Sequence, residues 1–169
     1  MTAEPATDSI TRSIDVPVSP AHAWNGFVRD FARWWPREHC FCGEDALDRV
    51  FIDLDQAIWG EVTLDGRMIP WGAVLAASAP ASLDLGWQMD ATVSPWIPEP
   101  DGEKASTVRV SFQPRDGGTR VTLTHEGFAR QGPVHAEAMR AVMIGMDRWA
   151  EWLADYAASL RDTGPASQP

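Results

Sequence analysis

Alternation of apolar and polar residues predicts strands along most of the chain. Residues 10–16 alternate in this way, with Arg12 as the one interruption of the apolar side. The clearest case is Leu83–Met89, in which every second residue is large and apolar. A period of two is typical of a strand with one buried face. The same pattern, punctuated by turn residues such as Asp65-Gly66, predicts strands at 50–54, 58–64, 71–77, 107–112 and 121–125.

Two segments have the helical period instead. Ser19-Pro20 is a strong helix start, with serine as N-cap and proline at the first helical position, and Trp24, Phe27 and Phe31 follow on one face. A second, longer helix is predicted between Gly132-Pro133 and Gly164-Pro165. Its apolar stripe consists of Met139, Val142, Met143, Met146, Trp149, Leu153, Tyr156 and Leu160.

The predicted order is a strand, a helical stretch, about six strands and a long helix. Strands joined by hairpins give an antiparallel sheet, and the long helix buries its stripe on one face of it, so the fold class is α+β. We expect a single domain over residues 8–161, with residues 1–7 and 162–169 as disordered tails. The proline-rich segment Asp90–Ser106 is predicted to be a long loop and a candidate lid.

Several motifs, weak singly but specific in their order, resemble one known family. They are 14–20 followed by Ala23-Trp24, Trp34-Trp35-Pro36 followed by His39, 71–75 leading through Pro80 to Trp87-Gln88, and 118–128. The chain resembles the SRPBCC/START-like superfamily, in its branch of activator of heat-shock-protein-90 ATPase homologues (AHSA1-like). The resemblance implies a helix-grip (START-like, Bet v 1-like) fold, in which a curved antiparallel sheet wraps around the C-terminal helix, with short helices between the first two strands.

The resemblance also implies a cavity between sheet and helix. Members of the superfamily bind or transform small, largely apolar molecules such as lipids, polyketides and aromatic hormones. One departure concerns Gln56-Ala57, which stand where relatives often have Gly-Gly, just before Trp59-Gly60-Glu61. The backbone or the cavity mouth is expected to differ at this point.

Composition narrows the class of ligand that is expected and disfavours some classes of partner. Nine tryptophans in 169 residues suggest indole rings that line a cavity as well as a core. A formal net charge of -10 disfavours nucleic acid and anionic membrane surfaces as partners. The amino terminus has no secretory h-region and no stretch is long enough to span a bilayer, so a cytoplasmic protein is expected, and a homodimer is compatible with the sequence.

Nine residues are predicted to bind the ligand, because tryptophans are expected to line the cavity and the others lie on the predicted strands and helix that enclose it. They are Trp35, Trp59, Glu61, Trp71, Trp87, His125, Met143, Met146 and Trp149. Two of them leave alternatives open. His125 is either a structural histidine bonded to a neighbour or a polar pocket group that acts as acid or base. Glu61 is either a solvated carboxylate or a buried base with a raised pKa.

Metal and cofactor chemistry is not expected. His39, Cys40 and Cys42 offer three soft donors close together, whereas zinc takes about four donors with wider cysteine spacing. Free thiols are therefore the prediction. No nucleophile elbow, phosphate loop or paired-carboxylate motif occurs, so no catalytic residue can be assigned.

Three functions remain open from the sequence. The first is binding of a small apolar or aromatic molecule between the sheet and the C-terminal helix. The second is an enzyme of the polyketide cyclase/aromatase type that uses acid/base residues of the pocket. The third, a chaperone-interacting module, rests on the family name alone.

Overall fold

The computed structural model describes residues 8–162, which form antiparallel strands and four α-helices. The predicted tails lie outside this range, apart from Asp162, the last residue of the final helix. The strands are β1 (Ser9–Val16), β2 (Leu47–Asp53), β3 (Ile58–Thr63), β4 (Met68–Ser78), β5 (Ser82–Trp87), β6 (Met89–Asp90), β7 (Ile97–Pro98), β8 (Ser106–Arg115) and β9 (Gly118–Glu126). The helices are α1 (Pro20–Val28), α2 (Phe31–Trp34), α3 (Pro133–Arg140) and α4 (Arg148–Asp162).

Seven of the strands form one sheet in the order β1-β9-β8-β5-β4-β3-β2, and every pairing is antiparallel. The ladder is shifted by bulges, including one between Trp59 and Gly60 on β3 and one between Val74 and Ala76 on β4. Bulges bend strands and increase twist, so these irregularities curl the sheet around the C-terminal helix. The predicted helix-grip fold, with short helices between β1 and β2, is confirmed.

The core lies between the concave face of the sheet and the helices. The apolar residues of Leu83–Met89 are at most 1% exposed, as the alternation predicts. Trp87 of β5 and Trp149 of α4 face the same space, with ring centroids 5.9 Å apart. The predicted packing of this strand on the C-terminal helix is therefore confirmed.

The C-terminal helix is not continuous, which corrects one expectation. A π turn at Ala141–Gly145 follows α3, and Asp147 then adopts a left-handed conformation with φ of 50° before α4 begins. Arg12, the one charge on the inner side of β1, donates from Nε to Asp147 Oδ1 at 2.9 Å and ties β1 to the break. The prediction that Met146 lies on the buried stripe is wrong: the break turns it outward, and it is 58% exposed.

The segment between β5 and β8 also has more structure than predicted. β6 pairs with β7 as a short two-stranded ribbon within the expected loop. Ala57 is one of the two residues that stand where relatives often have Gly-Gly. Its φ is 57°, in the left-handed region that glycine adopts most easily. In the part of the chain that the structure describes, no helix is long and apolar enough to cross a membrane.

Candidate functional site

A cleft of about 220 Å³ opens beside the first turns of α4, where segments distant in the sequence meet. The end of α2, the loop that follows it, β5, the β6–β7 connection, the π turn and α4 each contribute a wall. We call it the aromatic cleft. It is lined by Trp35, His39, Cys40, Phe41, Trp87, Pro95, Trp96, Val142, Arg148 and Trp152.

Ring pairs give the aromatic cleft flat walls. Phe41 and Trp96 are stacked, with centroids 5.8 Å apart and planes inclined by 16°. The ring centroid of Trp152 lies 4.5 Å from that of Trp35 and 6.4 Å from that of Trp87, and its plane is nearly parallel to that of Trp87 at 15°. Indole and phenyl side chains have few rotatable bonds, so they offer a large contact area with little conformational entropy to lose.

A buried carboxylate fixes one wall of the aromatic cleft. Glu61 of β3 is fully buried, and its oxygens accept from the backbone N–H groups of Phe41 and Cys42, both at 2.8 Å. Trp71 Nε1 donates to the same carboxylate at 2.7 Å. Three donors replace the water that burial removes, so Glu61 anchors the loop after α2 to the sheet. It acts as a clamp behind the cleft.

The two cysteine thiols lie next to this clamp. Burial, followed by the neighbouring Glu61 carboxylate, raises the pKa of Cys42 to about 12, and the same causes raise the pKa of Cys40. The two Sγ atoms and a Glu61 oxygen lie within 4.8 Å of one another. However, the described residues supply three donors here, and the carboxylate already accepts three N–H bonds. Two protonated thiols therefore fit this group better than a zinc site does.

His125 is held in a closed network behind the cleft. Its Nδ1 accepts from Trp149 Nε1 at 3.1 Å, so the ring proton lies on Nε2, which is 2.7 Å from Ser106 Oγ. Burial lowers the pKa of His125 to about 3, so the imidazole is neutral at physiological pH. Of the two alternatives left open by the sequence, the geometry fits the structural histidine.

His39 differs from His125 because it lines the aromatic cleft. Trp152 Nε1 donates to His39 Nδ1 at 2.5 Å. The neutral ring therefore has its proton on Nε2, and the indole holds its orientation. Among the residues that line the cleft, His39 has the side chain best suited to proton transfer.

The predicted ligand-binding residues separate into three groups. Trp35 and Trp87 line the aromatic cleft. Met146 does not line it and lies on the surface. The remaining six are buried and do not line it. Five of them contact lining residues, namely Trp59, Glu61, Trp71, His125 and Trp149, and the sixth is Met143.

Most of the cleft-lining residues were not among the predicted ones. Phe41 and Trp96 come from segments without periodicity, and Trp152 lies one position away from the predicted stripe on α4. Two partial signals are present in the sequence. His39 and Cys40 stand out in the sequence as potential metal donors, and Trp96 as an aromatic residue inside the Asp90–Ser106 segment.

Comparisons with known proteins agree with this architecture. The family model described as "Activator of Hsp90 ATPase homolog 1-like protein" matches residues 17–158. Among solved structures, the self-sacrificing resistance protein CalC from Micromonospora echinospora is similar at a TM-score of 0.65 and 23% identity, covering 94% of this chain and 97% of that one. A protein from Nitrosomonas europaea is similar at 0.63 and 15%, covering 96% and 100%.

One further solved structure is named for a reaction. It is the anthrahydroquino-gama-pyrone synthase Txn09, with a TM-score of 0.51 and 26% identity, covering 80% of this chain and 87% of that one. The comparison with curated proteins found no match.

Proposed function

The chain belongs to the family of Activator of Hsp90 ATPase homolog 1-like proteins, and we propose that it binds one small, largely apolar aromatic molecule in the aromatic cleft. The observation that carries this proposal is the cleft itself, with six of its ten lining residues being aromatic rings or histidine. A cavity of about 150 Å³ can accommodate benzene, so about 220 Å³ suits a ligand of one or two rings.

Another depression in the described surface is larger but chemically different. It measures about 430 Å³ and lies at the β8–β9 turn, lined by charged groups such as Asp15, Arg115 and Asp116. Small-molecule sites are mostly apolar, with a few well-placed polar groups, and the aromatic cleft has that composition. Of these two depressions, the cleft is therefore the better candidate.

The groups around the cleft favour binding over acid/base catalysis. His125 and Glu61 are both occupied by hydrogen bonds behind the walls. Cys40 has a raised pKa, so its thiol is protonated and a poor nucleophile. A binding protein needs only a few polar groups for orientation, and this arrangement provides them.

Two observations support the alternative that the protein is an enzyme. Txn09 is named as a synthase, and His39 offers an oriented imidazole at the cleft of this chain. If the protein acts on its ligand, we propose that His39 is the acid or base. Replacing His39→Gln would then abolish turnover of a bound aromatic substrate while leaving its affinity within about threefold.

The binding proposal is tested by filling the cleft. Val142 lines the aromatic cleft, whereas Met146 lies four residues later on the surface, so the two positions give a matched pair. In the unmodified protein, indane should quench tryptophan fluorescence saturably and raise Tm, because a ligand that binds only the native state stabilises it. Val142→Phe should abolish both effects, and Met146→Phe should leave both unchanged. Saturable binding that survives Val142→Phe would place the ligand elsewhere.

A natural ligand can be sought directly. Native mass spectrometry of the protein purified from its own host should reveal a retained small molecule. The same preparation of Val142→Phe should lack it.

A further inference from the structure

Among the eight buried tryptophans, seven fall into two groups according to whether the indole N–H has an acceptor. Five donate to an acceptor: Trp34 to Phe27 O, Trp59 to Gly86 O, Trp71 to Glu61, Trp149 to His125 and Trp152 to His39. Within residues 8–162, the N–H groups of Trp35 and Trp87 have no acceptor although both atoms are buried. Their side chains are only 3% and 1% exposed, respectively.

Buried polar groups without partners are rare in native proteins, because removal from water is not offset by a new hydrogen bond. Two such groups could be unrelated defects of packing. However, Trp35 and Trp87 both line the aromatic cleft, whereas the five satisfied indoles are, except for Trp152, behind its walls. The coincidence of both unpartnered donors with one cleft points to a ligand that supplies the acceptor.

We propose that the ligand of the aromatic cleft is an aromatic ketone or quinone, whose carbonyl oxygen accepts hydrogen bonds from the indole N–H groups of Trp35 and Trp87. This inference rests on the proposed function, and it adds the chemical class of the ligand. A carbonyl oxygen has two lone pairs, and its planar conjugated ring fits between the flat walls. An aromatic hydrocarbon would fill the same space but leave both donors unsatisfied.

The hydrogen-bond acceptor of the ligand is neutral, because the charges near the cleft do not favour an anion. Arg148, the one cationic side chain among the lining residues, already donates to Glu151 at 2.9 Å. The buried Glu61 carboxylate accepts from the backbone N–H of Phe41, another lining residue. A ligand carboxylate would therefore lose its hydration and compete with Glu151 for Arg148, whereas a carbonyl loses much less hydration.

The test compares three ligands with the same bicyclic ring system, namely indane, 1-indanone and the indane-1-carboxylate anion. Affinities are measured by titration of the full-length protein, followed by tryptophan fluorescence and by the indole region of a ¹⁵N–¹H NMR spectrum. We expect 1-indanone to bind about 2- to 10-fold more tightly than indane, the gain of one net hydrogen bond. The carboxylate should bind no more tightly than indane.

The NMR spectrum reports the donor directly. The indole N–H signals of Trp35 and Trp87, assigned from Trp35→Phe and Trp87→Phe, should move downfield with 1-indanone, at one or both positions. Neither should do so with indane. Each signal therefore distinguishes a hydrogen bond to the ligand from mere contact with it.

One double variant and one control variant complete the test. The double variant Trp35→Phe/Trp87→Phe should still bind indane but lose the preference for 1-indanone, and its Tm verifies that it is folded. Trp96→Phe removes a partly exposed cleft indole, so it should weaken both ligands by the same factor and keep the preference. Equal affinity of 1-indanone and indane, or a preference that persists in the double variant, overturns this inference but leaves the binding proposal intact. If none of the three ligands binds, the binding proposal itself fails.

Discussion

The Phe27 cluster, composed of Phe27, Trp34, Phe112 and Tyr156, and the aromatic cleft are made of similar rings but treat their polar atoms differently. In the Phe27 cluster, Phe27 packs against the other three rings at centroid distances of 4.9–5.8 Å. Both of its polar atoms are satisfied: Trp34 Nε1 donates to Phe27 O at 3.2 Å and the Tyr156 hydroxyl donates to Ala23 O at 2.7 Å. This region is a closed core.

The aromatic cleft contains equally large side chains, but it is open to solvent and includes buried N–H groups without hydrogen-bond acceptors. Phe41 and Trp96 remain partly exposed, and the N–H groups of Trp35 and Trp87 have no acceptor within the described residues. Aromatic content therefore does not separate the closed core from the open cleft in this protein. Hydrogen-bond satisfaction and packing do.

The largest expected difference comes from truncating one ring in each region. Phe27→Ala should lower the free energy of unfolding by about 3–5 kcal/mol, because it removes a fully buried ring and leaves a cavity. Trp96→Ala removes a larger but partly exposed side chain, and it should lower the free energy of unfolding by about 1 kcal/mol or less. Urea denaturation of the two variants measures both values. Equal losses would mean that the cleft wall is as much a part of the core as Phe27.

A smaller difference in stability is expected when one indole N–H that has a protein acceptor and one that has none are removed in turn. Trp149→Phe leaves His125 Nδ1 buried without its donor, whereas Trp87→Phe removes an N–H that has no protein partner. The lost ring area is the same, so Trp149→Phe should be more destabilising by about 2 kcal/mol. Thermal or chemical unfolding of both variants gives the comparison. A larger loss for Trp87→Phe would show that this N–H has an acceptor in the native protein.

The smallest expected effect concerns the pH dependence of the closed network. The pKa of His125 falls from 6.5 to about 3 on burial, so below pH 6.5 the unfolded chain binds a proton that the native protein does not. Stability must therefore fall with decreasing pH, by about 1.4 kcal/mol at pH 5.5 from this group alone. His125→Gln should have a correspondingly smaller loss between pH 7.5 and 5.5 in urea denaturation. An unchanged loss would assign the acid sensitivity to other groups.

The sequence predicted the closed regions well because they are periodic. Alternation identified the inner side of β5, and the helical period identified Met139, Met143, Trp149 and Tyr156 as buried. Each of these assignments needs only the geometry of one element, in which side chains at a fixed spacing share a face. The antiparallel sheet and the helix-grip topology followed from the order of the elements and from the family resemblance.

The cleft could not be predicted in the same way. Its walls combine Trp35, Phe41, Trp87, Trp96 and Trp152, which come from five segments whose meeting depends on loop geometry. Neither the clamp by Glu61 nor the interruption of the C-terminal helix has a periodic signal. The interruption also explains the error at Met146, since an uninterrupted helical period places that residue inside.

The π turn between α3 and α4 determines which kinds of evolutionary change this protein can accept. Each α-helical residue advances the chain by about 100° of rotation, so deleting or inserting one residue within 144–147 would rotate the buried side of α4 away from the sheet. Trp149, Trp152 and Tyr156 would then move together. Replacement of the exposed Met146 has no such effect. Substitution of Met146 is therefore expected to be tolerated at this junction, whereas a change in the length of the junction is not.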